Sequence, residues 1–305
     1  MTTYSFYQAD VFTSTPLSGN PLAVFPDARG LSDHTMQALA REMNLSETTF
    51  VLPSEKATRR VRFFTPAAEI PLAGHPTIGT WWLLAELGEL ELPDHGVGRI
   101  TQETDAGVLP VDLHLDGGKP TEVVMVQALP DFGLTVSDTA ELGVVLGGTT
   151  DTVMSDPMPQ VVSTALPQLM VPVRSLAELQ ALPSGGSGGS LVEMLRRFGT
   201  DCAMCYTHET VDPEATVHCR MFAPGLGVPE DPATGSAAGA LGAYLAWHNI
   251  ARPRDGLSTV TVEQGIEIDR PSRINVEVAV GNGGEITEIR VGGTAVVFIE
   301  GEVRL

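Results

Sequence analysis

Two stretches of the sequence repeat one pattern, in which a loop of small residues runs directly into a helix-forming segment. The first reads Ala-Gly-His-Pro-Thr-Ile-Gly-Thr over 73–80 and continues as Trp-Trp-Leu-Leu-Ala-Glu-Leu. The second reads Thr-Gly-Ser-Ala-Ala-Gly-Ala over 234–240 and continues as Leu-Gly-Ala-Tyr-Leu-Ala-Trp. Self-similarity of this kind predicts a duplicated β–α unit. The chain should therefore fold into two similar halves.

Each of these two helix starts also has a chemical use. The first turn of a helix offers unpaired N–H groups and a partial positive charge, and glycine lets a ligand approach the backbone closely. Two such starts could together hold a carboxylate. The alternative is that the glycines serve only tight helix packing.

The charge balance limits the partners that the protein can have. Lys and Arg total 18 against 38 Asp and Glu, for a formal net charge of -20. Such a field repels nucleic-acid phosphate and anionic membrane, so we expect neither as a partner. An anionic substrate would need a local positive potential, and the two helix starts can supply one without lysine.

The location of the protein follows from three features. The N-terminus has no basic stretch followed by an apolar run, so it is not a secretory signal. No window approaches the roughly 18 apolar residues that a membrane span needs. The three cysteines, Cys202, Cys205 and Cys219, are few and odd in number, which suits a reducing compartment. We expect a cytoplasmic protein.

Hydrophobic periodicity predicts an α/β chain with a boundary at the Gly117-Gly118 turn. The halves are then 1–118 and 119–291, and a C-terminal strand at about 292–305 packs back on the first half. Helices are predicted at 32–44, from Pro76 to Gly88, and at 137–146, 175–182, 190–198 and 235–248. Strands are predicted at 4–12, 20–25, 48–52, 58–65, 108–115, 121–127, 160–164, 169–173, 201–207, 216–222, 258–263, 273–280, 286–291 and 294–299. Residues 184–190 are predicted to form a flexible surface loop.

Three polar residues are candidates for chemistry, and each also has a structural interpretation. His75 near a helix N-terminus favours its neutral form, although such a histidine can serve only as a cap. Asp231 precedes Pro232, which is also a common way to open a turn. Glu47 stands between a helix end and an apolar strand, where a carboxyl group suits proton exchange near neutral pH. It could equally be a solvated loop acid.

Metal and cofactor sites are poorly supported by the sequence. Cys202 and Cys205, with His208, His218 and Cys219 nearby, suggest a zinc site. The segment 201–207 alternates like a strand, however, and residues three apart on a strand point to opposite faces. The chain also has no P-loop and no complete dinucleotide fingerprint. We therefore predict neither a metal nor a cofactor.

Taken together, the motifs resemble the PhzF-like family, named for the phenazine biosynthesis isomerase, which shares the fold of diaminopimelate epimerase. The resemblance runs along most of the chain. It is carried by the segments 10–13, 19–25, 44–48, 64–66, 69–77, 220–224, 230–232, 234–239 and 262–265.

The resemblance implies a diaminopimelate epimerase-like α/β (α+β) fold with two pseudo-symmetric halves. In each half a curled mixed sheet surrounds a central helix, and the active site lies in the cleft between the halves. The family implies a homodimer, no cofactor and a small carboxylated, cyclic substrate such as a dihydro-hydroxyanthranilate. Within that substrate a proton moves from one ring carbon to another.

Matching the motifs residue by residue assigns roles to this chain. Glu47 would be the general acid/base, and His75, Asp231 and Ser236 would orient the substrate. The remaining substrate-binding positions are Gly74, Pro76, Gly235 and Ala237.

Two alternatives remain open beside the isomerase. Diaminopimelate epimerase has a cysteine at each helix start, and here Gly74 and Gly235 occupy those places. A two-thiol racemase is thus excluded by this alignment, but an amino-acid epimerase using Glu47 and Asp231 is not. The other alternative is a ligand-binding protein that does not catalyse a reaction.

Overall fold

The computed structural model describes all 305 residues, and they form two compact units. The first unit comprises Met1–Val126 together with Gly292–Leu305, and the second comprises Gln127–Val291. The first unit extends past residue 118, where the sequence placed the boundary. The reason is that the residues after the Gly117-Gly118 turn pair antiparallel with those before it, as in Asp112 opposite Val124.

The first unit contains eight complete strands, all but the last residue of a ninth, the last two residues of a tenth, and two helices. Its strands are β1 (Thr3–Val11), β2 (Asn20–Phe25), β3 (Glu47–Leu52), β4 (Arg59–Phe64), β5 (Glu69–Ile70), β6 (Gly96–Thr104), β7 (Gly107–Asp116), β8 (Lys119–Gln127) and, from the C-terminal segment, β18 (Ala295–Arg304) with the end of β17 (Ile286–Gly293). Its helices are α1 (Asp33–Met43) and α2 (Gly74–Glu86). β1 pairs antiparallel with β18, so the C-terminal strand belongs to this unit.

The second unit has shorter strands and more helices. Its strands are β9 (Asp131–Thr135), β10 (Gln160–Ser163), β11 (Pro167–Pro172), β12 (Ala203–Thr207), β13 (Val217–Ala223), β14 (Val228–Asp231), β15 (Leu257–Gln264), β16 (Ser272–Val280) and most of β17. Its helices are α3 (Thr139–Val145), α4 (Leu176–Ala181), α5 (Gly189–Arg197) and α6 (Gly235–Trp247).

Both units pair their strands in the same order. In the first unit β2 is parallel to β3, β3 is antiparallel to β4, and β4 pairs antiparallel with the short β5 and parallel with β6. In the second, β11 is parallel to β12, β12 is antiparallel to β13, and β13 pairs antiparallel with the short β14 and parallel with β15. The short strand precedes α2 in one unit and α6 in the other. This repeated succession supports the duplication predicted from the two helix starts.

Each unit packs its strands around one buried helix. Helix α2 is buried from His75 to Ala85 and contacts β1, β2, β3 and β18. Helix α6 is buried from Ala237 to Ala246 and contacts β10, β11, β15 and β16. A helix enclosed by strands needs small residues where the strands come close. A Cβ at Gly79 would lie 2.7 Å from a Leu22 methyl group, and one at Gly242 would lie 2.6 Å from a Val276 methyl group.

Most predicted elements are present, with shifted ends. The helix predicted to open at Pro76 begins two residues earlier, at Gly74, and its stop at Gly88 is confirmed by a left-handed glycine there. The loop predicted over 184–190 gives way to α5 at Gly189, and Ser187 in that loop is bonded through its N–H and hydroxyl to the Val145 carbonyl.

Strands β5, β6, β9 and β14 were not predicted from the sequence. β6 shows why, because its buried face carries Gln102 and Thr104 as well as Ile100. The buried Gln102 Oε1 accepts a hydrogen bond from Trp81 Nε1 at 2.9 Å. A buried face that contains an amide and a hydroxyl lacks the apolar alternation by which strands are recognised.

None of the helices has the length and apolar character required to cross a lipid bilayer.

Candidate functional site

Glu47 and His75 meet in the first unit. Glu47 is the first residue of β3 and lies opposite Leu22 of the parallel β2, while His75 is the second residue of α2. The Glu47 Oε2 and His75 Nε2 atoms are 3.6 Å apart, and the two side chains are 18% and 7% exposed. The fold thus brings together two of the three side chains predicted to be catalytic.

His75 is neutral at physiological pH. Burial lowers the pKa of its imidazole to about 3, and a hydrogen bond to the backbone of Pro21 opposes that shift. Proline has only a carbonyl to offer, so the ring nitrogen facing it carries the single proton of the neutral imidazole. Nε2, which has no hydrogen-bond partner, then presents a lone pair towards Glu47. It can accept a hydrogen bond from a proton carried by Glu47 or by a substrate.

The start of α2 is uncapped. Its N-cap residue, Ala73, has extended backbone and no side-chain bond, and the first turn contains no acid. By contrast α1, α3 and α4 each begin with a side-chain cap, from Ser32, Asp138 and Ser175 respectively. Gly74, His75 and Pro76 form the first turn, but proline has no N–H. This helix start therefore offers only two free backbone donors before Thr77, which bonds to the Ala73 carbonyl at 3.4 Å.

The start of α6 offers a fuller set of donors. Its N-cap residue, Thr234, makes no side-chain cap, and the first intrahelical bond joins Ala238 N–H to the Thr234 carbonyl at 2.9 Å. Gly235, Ser236 and Ala237 precede that bond, so their N–H groups have no acceptor within the helix. An anion would be stabilised here by three N–H groups and by the helix dipole.

Asp231 is anchored to the same helix start. Its carboxylate accepts a hydrogen bond from the Thr234 hydroxyl, and its carbonyl accepts one from Gln264 Nε2 at 2.7 Å. Gln264 Oε1 in turn accepts from Thr234 N–H at 3.3 Å. The Thr234 hydroxyl donates to Asp231 and accepts from Gln264 Nε2 at 3.2 Å, and it makes no cap bond to the N–H groups of α6.

Two glutamine side chains form hydrogen bonds to the first residues of α6. Gln168, on β11, is fully buried and donates from Nε2 to Ser236 Oγ at 3.0 Å. Gln127 Nε2 donates to the Gly235 carbonyl at 3.0 Å, and Thr164 donates to Gln127 Oε1 at 2.7 Å. Because Ser236 Oγ accepts from Gln168, its own proton remains available to a ligand acceptor such as a carboxylate oxygen.

These supporting residues were missed at the sequence level to different degrees. Gln264 lies within one of the motif segments, so a polar role could have been proposed for it. Gln168 lies in an ordinary apolar strand segment, Pro-Gln-Leu-Met-Val-Pro, and no local signal marks it.

The three cysteines lie on or beside two strands of the second unit. Cys205 and Cys219 lie on β12 and β13, Cys202 directly precedes β12, and all three are buried. Burial raises the pKa of the Cys202 and Cys205 thiols to about 12. These thiols are therefore protonated at neutral pH and are poor nucleophiles.

Strand register gives Glu47 a counterpart in the second unit. Arg-x-Phe-x-Pro occurs at 62–66 and again at 220–224, which aligns Phe64 with Phe222. Thr48 lies opposite Phe64, and Ala203 lies opposite Phe222. The residue before each is Glu47 in one unit and Cys202 in the other. The duplicated position therefore carries a carboxyl group only once.

Comparison with known proteins agrees with this architecture. The family model described as phenazine biosynthesis-like protein matches residues 9–301. A protein named an uncharacterised isomerase from Mesorhizobium japonicum is 36% identical over 307 residues, covering 99% of both chains. The trans-2,3-dihydro-3-hydroxyanthranilate isomerase of Pseudomonas aeruginosa is 36% identical over 309 residues, covering 97% of this chain and 98% of that protein.

A solved structure confirms the predicted fold class. The crystal structure of a PhzF-family phenazine biosynthesis protein from Bacillus anthracis superimposes with a TM-score of 0.89 at 32% identity, over 100% of both chains. The family match, the isomerase relatives and the shared fold lead to one conclusion: this chain belongs to the PhzF family and is an isomerase.

Proposed function

We propose that this protein moves a proton within a small cyclic carboxylate, using Glu47 as the only acid/base. The observation that supports this most is that Glu47 lies 3.6 Å from the lone-pair nitrogen of a neutral His75, whereas its counterpart is the buried thiol of Cys202. A two-base mechanism built from equivalent positions would need an acid/base at both.

The reaction needs no outside electron source. Glu47 takes a proton from one carbon, and the electron pair of the broken C–H bond enters the adjacent conjugated system. The same carboxyl group then returns the proton to a carbon at the other end of that system, so a new C–H bond forms. No atom or electron is gained or lost, and proton transfer of this kind requires no cofactor.

The start of α6 would hold the substrate carboxylate. Its three N–H groups and the Ser236 hydroxyl are all donors, and they provide positive potential in a chain of net charge -20. Asp231 would accept a hydrogen bond from a substrate hydroxyl or amino group, and the donors at Gly74 and His75 would complete the orientation. A positioned acid/base contributes about 10²–10⁴-fold to the rate, and fixing the substrate supplies much of the rest.

The first substrate to test is trans-2,3-dihydro-3-hydroxyanthranilate, the compound in the name of several relatives. The protein is incubated with it in D₂O, and deuterium in substrate and product is measured by mass spectrometry. Wild type should incorporate deuterium at carbon, and Glu47→Gln should lose this activity by at least about 10²-fold.

Glu42→Gln, on the exposed face of α1, removes a similar charge and is the matched control. Unchanged deuterium exchange in Glu47→Gln would exclude the single-carboxyl mechanism. The epimerase alternative, with Glu47 and Asp231 as the two bases, is tested by incubating the protein with amino acids and analysing their chirality. An epimerase would invert the configuration at one carbon of an amino acid, whereas the proposed isomerase would not.

A further inference from the structure

A longer repeat underlies the two helix starts. Arg-x-Phe-x-Pro at 62–66 is followed by Glu-x-Pro-x-x-Gly at 69–74, and the same two patterns recur at 220–224 and 230–235. In both copies the arginine lies on the long strand, β4 or β13, and the glutamate lies on the short strand, β5 or β14. The closing glycine is the first residue of the central helix in each unit, α2 or α6.

In both units the arginine and the glutamate of this repeat form a bidentate ion pair. Arg62 donates from Nε and Nη2 to the two carboxylate oxygens of Glu69, both at 2.7 Å. Arg220 donates from Nε and Nη2 to the two oxygens of Glu230, at 2.8 and 2.6 Å. Each guanidinium also lies over the phenylalanine two residues on, at 5.2 Å for Phe64 and 5.0 Å for Phe222. We call each arrangement an Arg–Glu clamp.

The second clamp is buried and has additional anchors. The Arg220 and Glu230 side chains are each only 2% exposed. Arg220 Nη1 donates to the carbonyls of Leu179 at 3.0 Å and Leu182 at 2.5 Å, at the C-terminal end of α4. Ser184 donates to the second oxygen of Glu230 at 2.5 Å. Glu230 is therefore held from two sides, and the next residue in the chain is Asp231.

We propose that the two clamps set the position of the substrate-binding turns, so that Arg220 positions Asp231 and the start of α6 and Arg62 positions His75 and the start of α2. Arg220 and Arg62 are thus positioning residues. This inference rests on the proposed function, because the turns matter for catalysis only if they hold the substrate.

The ion pairs of the clamps serve to fix the position of the two strands they join rather than to stabilise the folded protein. A buried ion pair adds little net stability, because removing two charges from water offsets their attraction. A bidentate Arg–carboxylate pair instead fixes the relative position and plane of both groups. The clamp joins the long strand to the short strand that leads into the central helix, and the chain repeats it at both helix starts. A misplacement of about 1 Å at such a turn can cost roughly 10²-fold in rate.

Arg→Lys substitutions test the proposal, since lysine keeps the charge but cannot form the parallel pair of bonds. Arg220→Lys is measured in the wild-type and Asp231→Asn backgrounds, and Arg62→Lys in the wild-type and His75→Asn backgrounds. We expect each lysine variant to lower kcat by about 10-fold or more in wild type and by less than about twofold in its paired background. If each lysine substitution lowers kcat by the same factor in its paired background as in wild type, the clamps have only a structural role and the proposal is overturned.

Two further measurements make the test specific. Crossing the pairs, with Arg220→Lys in His75→Asn and Arg62→Lys in Asp231→Asn, should give additive losses. Arg99→Lys is the control, because Arg99 forms a similar pair with Asp112, at 2.6 and 2.7 Å, on β6 and β7 away from either helix start. It should leave kcat within about twofold of wild type.

Hydrogen exchange separates failure of the clamps from failure of the proposed function. Arg220→Lys should speed amide exchange over 228–238 and leave 69–79 unchanged, and Arg62→Lys should do the reverse. This readout needs no catalysis, so it decides the clamps even if wild type turns over no substrate. Exchange that is unchanged, or that rises over a whole unit, would contradict the proposal.

Discussion

His75 Nε2 lies 3.6 Å from Glu47 Oε2, and burial keeps the imidazole neutral with a pKa of about 3. We therefore expect no ionisation of His75 in the pH dependence of kcat/KM between pH 5 and 8. His75→Asn keeps an N–H near Pro21 but removes Nε2, and it should lower kcat/KM by about 10- to 10²-fold without changing the shape of the profile. If the wild-type profile of kcat/KM bends between pH 5 and 8 and the bend is absent in His75→Asn, His75 titrates during catalysis.

The hydrogen bond from Gln168 to Ser236 leads to a second prediction. Gln168→Glu has the same shape, and its ionised carboxylate can only accept, so it would capture the Ser236 proton and leave none for the substrate carboxylate. We expect Gln168→Glu to raise KM by about 10-fold or more, as Ser236→Ala should. Gln160→Glu, on the neighbouring β10, adds the same charge near the surface and should change KM less than about twofold. Equal increases in KM for Gln168→Glu and Gln160→Glu would mean that the added charge, and not the loss of the Ser236 proton, weakens substrate binding.

His218 provides a prediction about stability. Burial disfavours its charged form, but hydrogen bonds to Glu267 and Glu263, at 2.9 and 2.7 Å, outweigh burial and raise the pKa of the ring. A raised folded-state pKa gives stabilisation that is complete below the unfolded value, about 6.5, and is lost as the pH rises through the folded value. Urea unfolding from pH 6 to 9 should show a falling free energy of unfolding that is weaker in His218→Gln.

The exposed His34 supplies the control for that experiment. His34→Gln should leave the pH dependence of unfolding like that of wild type. A His218→Gln protein whose stability falls with pH as steeply as that of wild type would mean that this histidine is not the group responsible.

Gly242 tests how closely α6 packs against its sheet. A Cβ there would lie 2.6 Å from a Val276 methyl group and 3.3 Å from one of Val278. Gly242→Ala should lower the free energy of unfolding by about 1–3 kcal/mol, although alanine favours helix by up to about 1 kcal/mol. Gly189→Ala, in α5, meets nothing within 4 Å and should not destabilise. Thermal or urea unfolding of both variants compares the two sites.

The sequence by itself determined the overall plan of this protein. The pattern of a small-residue loop followed by an apolar helix occurs twice and predicted a duplication. The structure repeats one order of strand pairing in both units. Local patterns are sufficient for this, because periodicity and small residues are properties of neighbouring positions along the chain. The same patterns failed for β6, whose buried face includes Gln102.

Only the tertiary structure decided which side chains meet. That Glu47 faces His75, that Gln168 supports Ser236, and that Arg220 clamps Glu230 depends on strand register and on packing between distant segments. The arginines, glutamates and glycines of the clamps recur visibly in the sequence, but their ion pairs cannot be inferred from spacing. Such contacts are set when strands pair and buried helices dock, and burial then fixes the protonation of His75 and of Cys202.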